Sequence, residues 1–127
     1  MRSKKVGGLF LQQHRQDNMS FYAQYLKERT NDEIIETKKG FLTYRFMPTG
    51  EVYIVDLYIH PDFREQGEAS ALADEVVAIA KQRGCTELLG SVVPSNKGST
   101  ASLKVLLAYG MNLKSSTNDF ILFSKGI

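Results

Sequence analysis

Six consecutive residues have the types and order to hold an anion: Arg64-Glu65-Gln66-Gly67-Glu68-Ala69. An apolar, β-branched run ends just before them at Ile59, and His60-Pro61-Asp62 makes a turn. Behind them Ala69, Leu72, Ala73, Val76, Ile79 and Ala80 recur at helical spacing and form one face of a helix. Gly67 therefore stands where loop becomes helix. Such a junction turns unpaired backbone N–H groups and the positive end of the helix dipole toward an anion. Gly67 has no side chain to keep backbone and phosphate apart, and Arg64 adds positive charge. The stretch reads as a pyrophosphate cradle. The N–H groups of Gln66, Gly67, Glu68, Ala69 and Ser70 would receive the anion. There is no Walker loop and no G-x-G-x-x-G fingerprint.

Other reactive side chains are sparse. Cys85 is the single cysteine, so the chain has no internal disulfide and no cysteine metal cluster. It follows a helix stop at Gly84, reads as a core residue, and has no evident activating partner. The two histidines, His14 and His60, lie far apart and give little basis for a metal site; none is expected. His60, before Pro61, reads as a loop residue.

At 127 residues the chain is expected to be one domain over 1–127, with 1–15 a flexible lead-in containing Gly7-Gly8. Hydrophobic content of 43% and charged content of 24% are ordinary globular values. A net charge of +2 gives no case for nucleic acid or an anionic membrane as partner. Arg2, Lys4 and Lys5 read as a solvated end. No apolar run approaches the ~18 residues of a membrane span, and no signal-peptide core opens the chain. A reducing, cytoplasmic setting is the expectation.

The elements that position the cradle follow from periodicity. Leu9-Phe10-Leu11 suggests a short strand. A helix is expected over 17–29, with Phe21, Tyr22, Tyr25 and Leu26 apolar and Asp17, Asn18 or Ser20 as its cap. Strands at 33–37, 41–46 and 51–59, joined at Lys39-Gly40 and Pro48-Thr49-Gly50, make an antiparallel meander. The helix behind Gly67 ends at Gly84. A strand over 86–93 then completes a right-handed βαβ unit, parallel to 51–59. Ser99 is placed to cap a helix over 100–108 that Gly110 stops, with Leu103, Leu106 and Leu107 inward. Strands at 111–113 and 120–124 close the chain around a turn over 115–119.

R-x-x-G-x-A between a strand and a helix resembles the cofactor motif of the GNAT superfamily of N-acetyltransferases. The likeness extends to Asp56-Leu57-Tyr58-Ile59-His60-Pro61-Asp62-Phe63-Arg64, to Gly84-Cys85, and to Ser102-Leu103-Lys104-Val105-Leu106 with Gly110-Met111. It also takes in the closing strand with Lys125, and covers roughly residues 33–127. It implies an α/β (α+β sandwich) fold: a GNAT-like mixed sheet with an N-terminal meander, a βαβ unit and splayed parallel central strands. It implies acetyl-CoA as co-substrate, with Leu57 and Ile59 lending backbone groups to the pantetheine arm and Asn96 or Ser99 reaching its amides. It implies transfer of an acetyl group to an amine acceptor, small molecule or protein, with a homodimer left open.

The likeness has departures. Glu68 stands where relatives carry an apolar residue, and its carboxylate opposes a bound phosphate. Relatives have a tyrosine four residues before the glycine that ends the last helix; here that position is Leu106, and Tyr109 points about 300° around the helix. The carboxylate base of relatives would fall at Tyr53 or Val55. Asp56, one step on, is expected to face the other side of the strand. No acid or base is thereby identified, and Tyr53 and Glu51 remain as candidates for receiving the proton through water. These gaps keep open a second reading, a non-catalytic GNAT-fold binding or regulatory protein that retains the CoA site or only the fold.

Overall fold

The computed structural model describes residues 19–127. The expectations for Arg2, Lys4, Lys5, Gly7, Gly8, the strand at 9–11, His14, Asp17 and Asn18 lie outside the described residues. The chain divides into two units, one ending at Asn31 and one beginning at Asp32. The first carries α1, Phe21–Arg29. Ser20 is its cap: the Ala23 amide donates to Ser20 Oγ at 2.9 Å. Its buried residues are Ala23 and Leu26; Phe21, Tyr22 and Tyr25, expected among its apolar positions, are exposed.

The second unit is a six-stranded mixed sheet with two helices. Its elements are β1 (Glu33–Glu36), β2 (Gly40–Phe46), β3 (Glu51–Ile59), α2 (Glu68–Gln82), β4 (Glu87–Val92), α3 (Ser99–Ala108), β5 (Asn112–Thr117) and β6 (Phe120–Gly126). The strand order is β1-β2-β3-β4-β6-β5. β1, β2 and β3 form the antiparallel meander, and β3 runs parallel to β4 across the α2 crossover. Among the described residues no helix is long and apolar enough to cross a membrane.

One face of the sheet holds the core. Leu72, Val76 and Ala80 of α2 pack with Leu42, Tyr44, Val52, Ile59, Leu88 and Val92 of the sheet. Leu42, Val52, Val76 and Leu88 are fully buried, each worth about 1.5–3 kcal/mol of apolar burial. α3 brings Leu106 to the same cluster. A Cβ on Gly90 would lie 3.0 Å from Leu106 Cδ2, so the glycine in β4 lets α3 approach. Both helices end in Schellman turns. Gly84 and Gly110 have φ near +83° and +88°, and the amides of Cys85 and Met111 reach back to the carbonyls of Ala80 and Leu106.

Three local expectations change. Leu107, expected inward with Leu103 and Leu106, is exposed. Gly98, left-handed at φ +83°, precedes α3 as its cap. Ser99 does not cap the helix; its hydroxyl donates to Pro94 O at 2.9 Å and closes the preceding loop. The turn expected over 115–119 narrows to Asn118-Asp119, because Ser115, Ser116 and Thr117 pair with Leu122, Ile121 and Phe120. At the sheet edge the β5–β6 ladder shifts by one residue at Lys114, whose ammonium reaches Glu87 on β4 at 2.9 Å.

Candidate active site

The parallel ladder between β3 and β4 is short. It joins Glu51 to Glu87, Val52 to Leu88 and Tyr53 to Leu89, and stops. β3 continues to Ile59 along β2, while β4 continues to Val92 along β6. A gap therefore opens between the central strands, rooted at Tyr53 and Leu89. A bulge decides which groups face it. Thr43 pairs with Asp56 but Tyr44 with Ile54, leaving Val55 extra. Before the bulge Glu51 O accepts from Met47, on the β2 side; after it the His60 amide donates to Lys39 O, also on that side. By the alternation of antiparallel pairs, Leu57 and Ile59 turn their backbone groups into the gap. Ile59 O there accepts from Arg64 Nε at 2.8 Å.

The cradle stands beyond the open end. Glu65, with φ +62°, and Gly67, with φ +83°, bend the chain into α2. The first helical bond runs from the Ala71 amide to Gly67 O, so Glu68, Ala69 and Ser70 have amides without acceptors in the helix. A Cβ on Gly67 would meet nothing within 4 Å; the left-handed backbone demands the glycine, and the space before it is open. Gln66 ties back through Nε2 to Asp62 O at 3.3 Å. Arg64 lies with its guanidinium carbon 5.6 Å from the Tyr58 ring centre.

Glu68 has a partner that sequence reasoning missed. Lys39, from the turn before β2, places Nζ 3.3 Å from Glu68 Oε2 and 5.5 Å from the Phe63 ring centre. The unfavourable carboxylate is thus offset by a cation beside the cradle. Glu68→Gln should release that cation and tighten binding of an anion there about threefold, the scale of a partly exposed pair. Lys39→Gln should weaken it by a similar factor, and both effects should shrink as salt is raised. Calorimetry with CoA at two ionic strengths measures this; a Glu68→Gln variant that binds CoA more weakly would mean that the pair shapes the helix start instead.

On the sheet face away from α2, the bulge corrects an expectation. Arg45 pairs with Tyr53 and Thr43 with Asp56. Arg45 and Thr43 are two apart and share a face, so Asp56 and Tyr53 share it as well. The Tyr53 and Ser91 hydroxyls hydrogen-bond across the root of the gap. Arg45 Nε donates to Asp32 Oδ1 at 2.6 Å, which raises the guanidinium pKa further. Burial pushes the Asp56 carboxyl pKa up, and the Asp32 carboxylate adds to the rise. Glu51, by contrast, stands at the closed end, where it accepts from Thr49 Oγ1.

On the far side of the gap Asn96 lies in the loop that leaves β4, and Ser99 is the first residue of α3. The Ser99 amide donates to Asn96 O at 3.1 Å. Cys85 packs on the edge of the core and lines a surface pocket with Phe46, Met47, Pro48, Gly50, Arg83 and Gly84, at the end of α2 opposite the cradle. Leu106 is buried. Tyr109 instead donates to Asp74 Oδ1 of α2 at 2.7 Å; burial and that bond raise its pKa well above the usual phenol value. Its role is to tie α3 to α2. Tyr109→Phe should lower stability by about 1 kcal/mol, one hydrogen bond, and leave turnover near wild type. A hundredfold fall in kcat with intact cofactor affinity would place the tyrosine at the chemistry.

The geometry can be set beside known proteins. The model of the acetyltransferase (GNAT) family matches residues 3–106. The chain belongs to that family. This GNAT chain has the fold of the PaiA N-acetyltransferase of Thermoplasma acidophilum, whose structure holds coenzyme A. The TM-score is 0.67 at 12% identity, over 96% of this chain and 80% of that one. An acetyltransferase of Bacillus subtilis, also in complex with CoA, superposes with a TM-score of 0.62 at 12% identity, over 82% of this chain and 83% of that one. A bovine (Bos taurus) thialysine N-epsilon-acetyltransferase is 29% identical over 66 residues, 52% of this chain. The match spans only 39% of that protein's length.

Proposed function

We propose that this GNAT chain is an acetyl-CoA-dependent N-acetyltransferase. The observation that carries the reading is the gap between β3 and β4 with the cradle at its open end. The pyrophosphate sits against the amides of Gln66, Gly67, Glu68, Ala69 and Ser70, beside Arg64. The pantetheine arm runs back along the edge of β3 that β4 leaves, at the backbone groups of Leu57 and the amide of Ile59, opposite Asn96 and Ser99, as an added strand would. That path brings the thioester toward the root at Tyr53 and Leu89. The CoA-bound structures of PaiA and of the Bacillus subtilis protein support the same occupant here.

The acceptor's neutral amine attacks the thioester carbonyl. A C–N bond forms, the C–S bond breaks, and the sulfur leaves as thiolate to take up a proton. Holding both reactants in line supplies much of the rate, and free strand amides at the gap polarise the carbonyl. The Tyr53 and Ser91 hydroxyls at the root position a water that carries the amine's proton to solvent. No tyrosine acid is needed, because an ordinary thiol with a pKa of ~8.5 gives a fair leaving group.

Acetyl-CoA at ~100 times its dissociation constant should stabilise the fold by about 2.7 kcal/mol. Thermal denaturation with millimolar acetyl-CoA tests this, and an unmoved midpoint would end the cofactor reading. Acetyl transfer to a panel of amines, followed by thiol release, then tests turnover.

A further inference from the structure

The loop between β4 and α3 is held from the side away from the gap. β4 ends where Val92 pairs with Ile121 of β6, and Pro94 has no N–H with which to extend that ladder. The next amide, that of Ser95, donates to Asp119 Oδ1 at 3.0 Å, and the Ser95 hydroxyl donates to Asp119 Oδ2. Asp119 stands in the turn between β5 and β6. One carboxylate thus takes two hydrogen bonds from a residue 24 positions away. Inside the loop the bonds are local. The Asn96 amide donates to Val93 O at 2.9 Å and the Ser99 amide to Asn96 O at 3.1 Å. The Ser99 hydroxyl donates to Pro94 O at 2.9 Å. These turns give the loop a shape, and the Ser95–Asp119 pair ties that shape to another part of the sheet.

We propose that Asp119 is a positioning residue for the cofactor: it holds the β4–α3 loop beside the gap, with Asn96 and Ser99 set to meet the pantetheine arm before the arm arrives. The inference rests on the acetyltransferase reading above and adds to that site a residue that does not touch the ligand. Strand order gives the direction of the pull. The gap lies between β3 and β4, and β6 lies on the other side of β4. A tether to the turn before β6 therefore draws the loop away from the gap. The gap-facing backbone groups of Leu57, which the β3–β4 ladder does not reach, would offer hydrogen bonds to a released loop, and the arm would have to displace it. An anchored loop loses its conformational freedom on folding instead of on binding, which leaves more of the contact energy for affinity. A carboxylate suits the task, since one side chain accepts from amide and hydroxyl together and hydrogen bonds to an ionised acceptor are the stronger kind. The cradle at Arg64–Ala69 joins β3 to α2, apart from this loop, so loosening the loop spares the pyrophosphate contacts.

CoA and ADP separate the two parts of the cofactor, because ADP has the pyrophosphate but no arm. Binding of each to the full chain is measured by calorimetry. Asp119→Ala is expected to weaken CoA about tenfold, the scale of one charge-assisted hydrogen bond, and to leave ADP within about twofold of wild type. Asp119→Asn should recover most of the CoA affinity, since its amide accepts from the Ser95 N–H through Oδ1 and donates to the Ser95 hydroxyl through Nδ2. Tyr109→Phe is the control for stability alone: it removes one tertiary hydrogen bond and should keep both affinities. An Asp119→Ala variant that binds CoA as wild type does would overturn the proposal and leave the cofactor site standing. CoA and ADP weakened alike would overturn it as well, because the fold at large and not the loop would have given way. So would an Asp119→Asn variant as weak as Asp119→Ala, since charge and not the clamp would then be at work. If wild type itself binds no CoA, the acetyltransferase reading fails and the proposal falls with it.

Discussion

Gly40→Ala is expected to destabilise the fold by about 3 kcal/mol, the upper part of the overpacking range. Gly40 opens β2 opposite Ile59. A Cβ there would lie 2.1 Å from Tyr58 O and 2.9 Å from Ile59 Cα. These are backbone atoms, so no side chain can turn aside; the ends of β2 and β3 must part. The melting temperature should fall by roughly 10 °C. Because the displaced strand end leads straight into Arg64 and the cradle, CoA affinity should fall as well. Gly126→Ala is the control: its Cβ would meet nothing within 4 Å, and little change is expected. A loss of only one or two degrees in Gly40→Ala would mean that the two strands do not cross so closely.

Gly67→Val is expected to reduce acetyl-CoA affinity at least about a hundredfold, the equivalent of two charge-assisted backbone contacts at ~1.4 kcal/mol each. Two effects act together. A β-branched residue at φ +83° is strained whatever the space, at a cost of roughly 1–2 kcal/mol. Its methyl groups would project into the open space from which the phosphates approach. Gly84→Val separates the effects. Gly84 has the same φ of +83° and the same open surroundings, but ends α2 rather than beginning it. It should lose similar stability and keep its affinity for acetyl-CoA. Equal losses of affinity in the two variants would show that strain alone acts, and that the cradle lies elsewhere.

The features legible in the sequence are those written locally. The apolar stripe from Ala69 to Ala80, the glycines at 67, 84 and 110, and the succession of three strands, a helix and a strand sufficed for the sheet and the crossover, whereas the gap was implied by the resemblance to the GNAT motif. The bulge was not legible. Val55 is a β-branched residue like Ile54 before it, and a single extra residue leaves no mark on an alternating pattern. That hid the placement of Asp56 on the same face as Tyr53. The ion pairs of Lys39 with Glu68 and Arg45 with Asp32 were hidden for a related reason. Their partners are set by turns and cross-strand register, and the charges alone read as solvated surface. Ser99 misled because a hydroxyl suited to accept from the first amides of a helix instead donates to Pro94 O, and the left-handed Gly98 before it took over the start of α3. Helical spacing alone sets Tyr109 apart from the position at which relatives carry their tyrosine, whereas its bond to Asp74 required the packing of α3 beside α2.

The outer strand of the sheet bears on how the protein behaves in concentrated solution. β5 is exposed along its whole length, and an open strand edge is a template on which other chains can add and grow into aggregates. Here the ladder slips at Lys114, and the lysine is drawn back across the sheet to Glu87. An incoming strand would meet a kinked row of amides and a charge that it would have to bury or displace. At the opposite edge β1 is four residues long and has a glutamate at each end. Among the described residues both borders of the sheet are thus poor seeds for fibrils, and a sheet with such edges can remain dispersed.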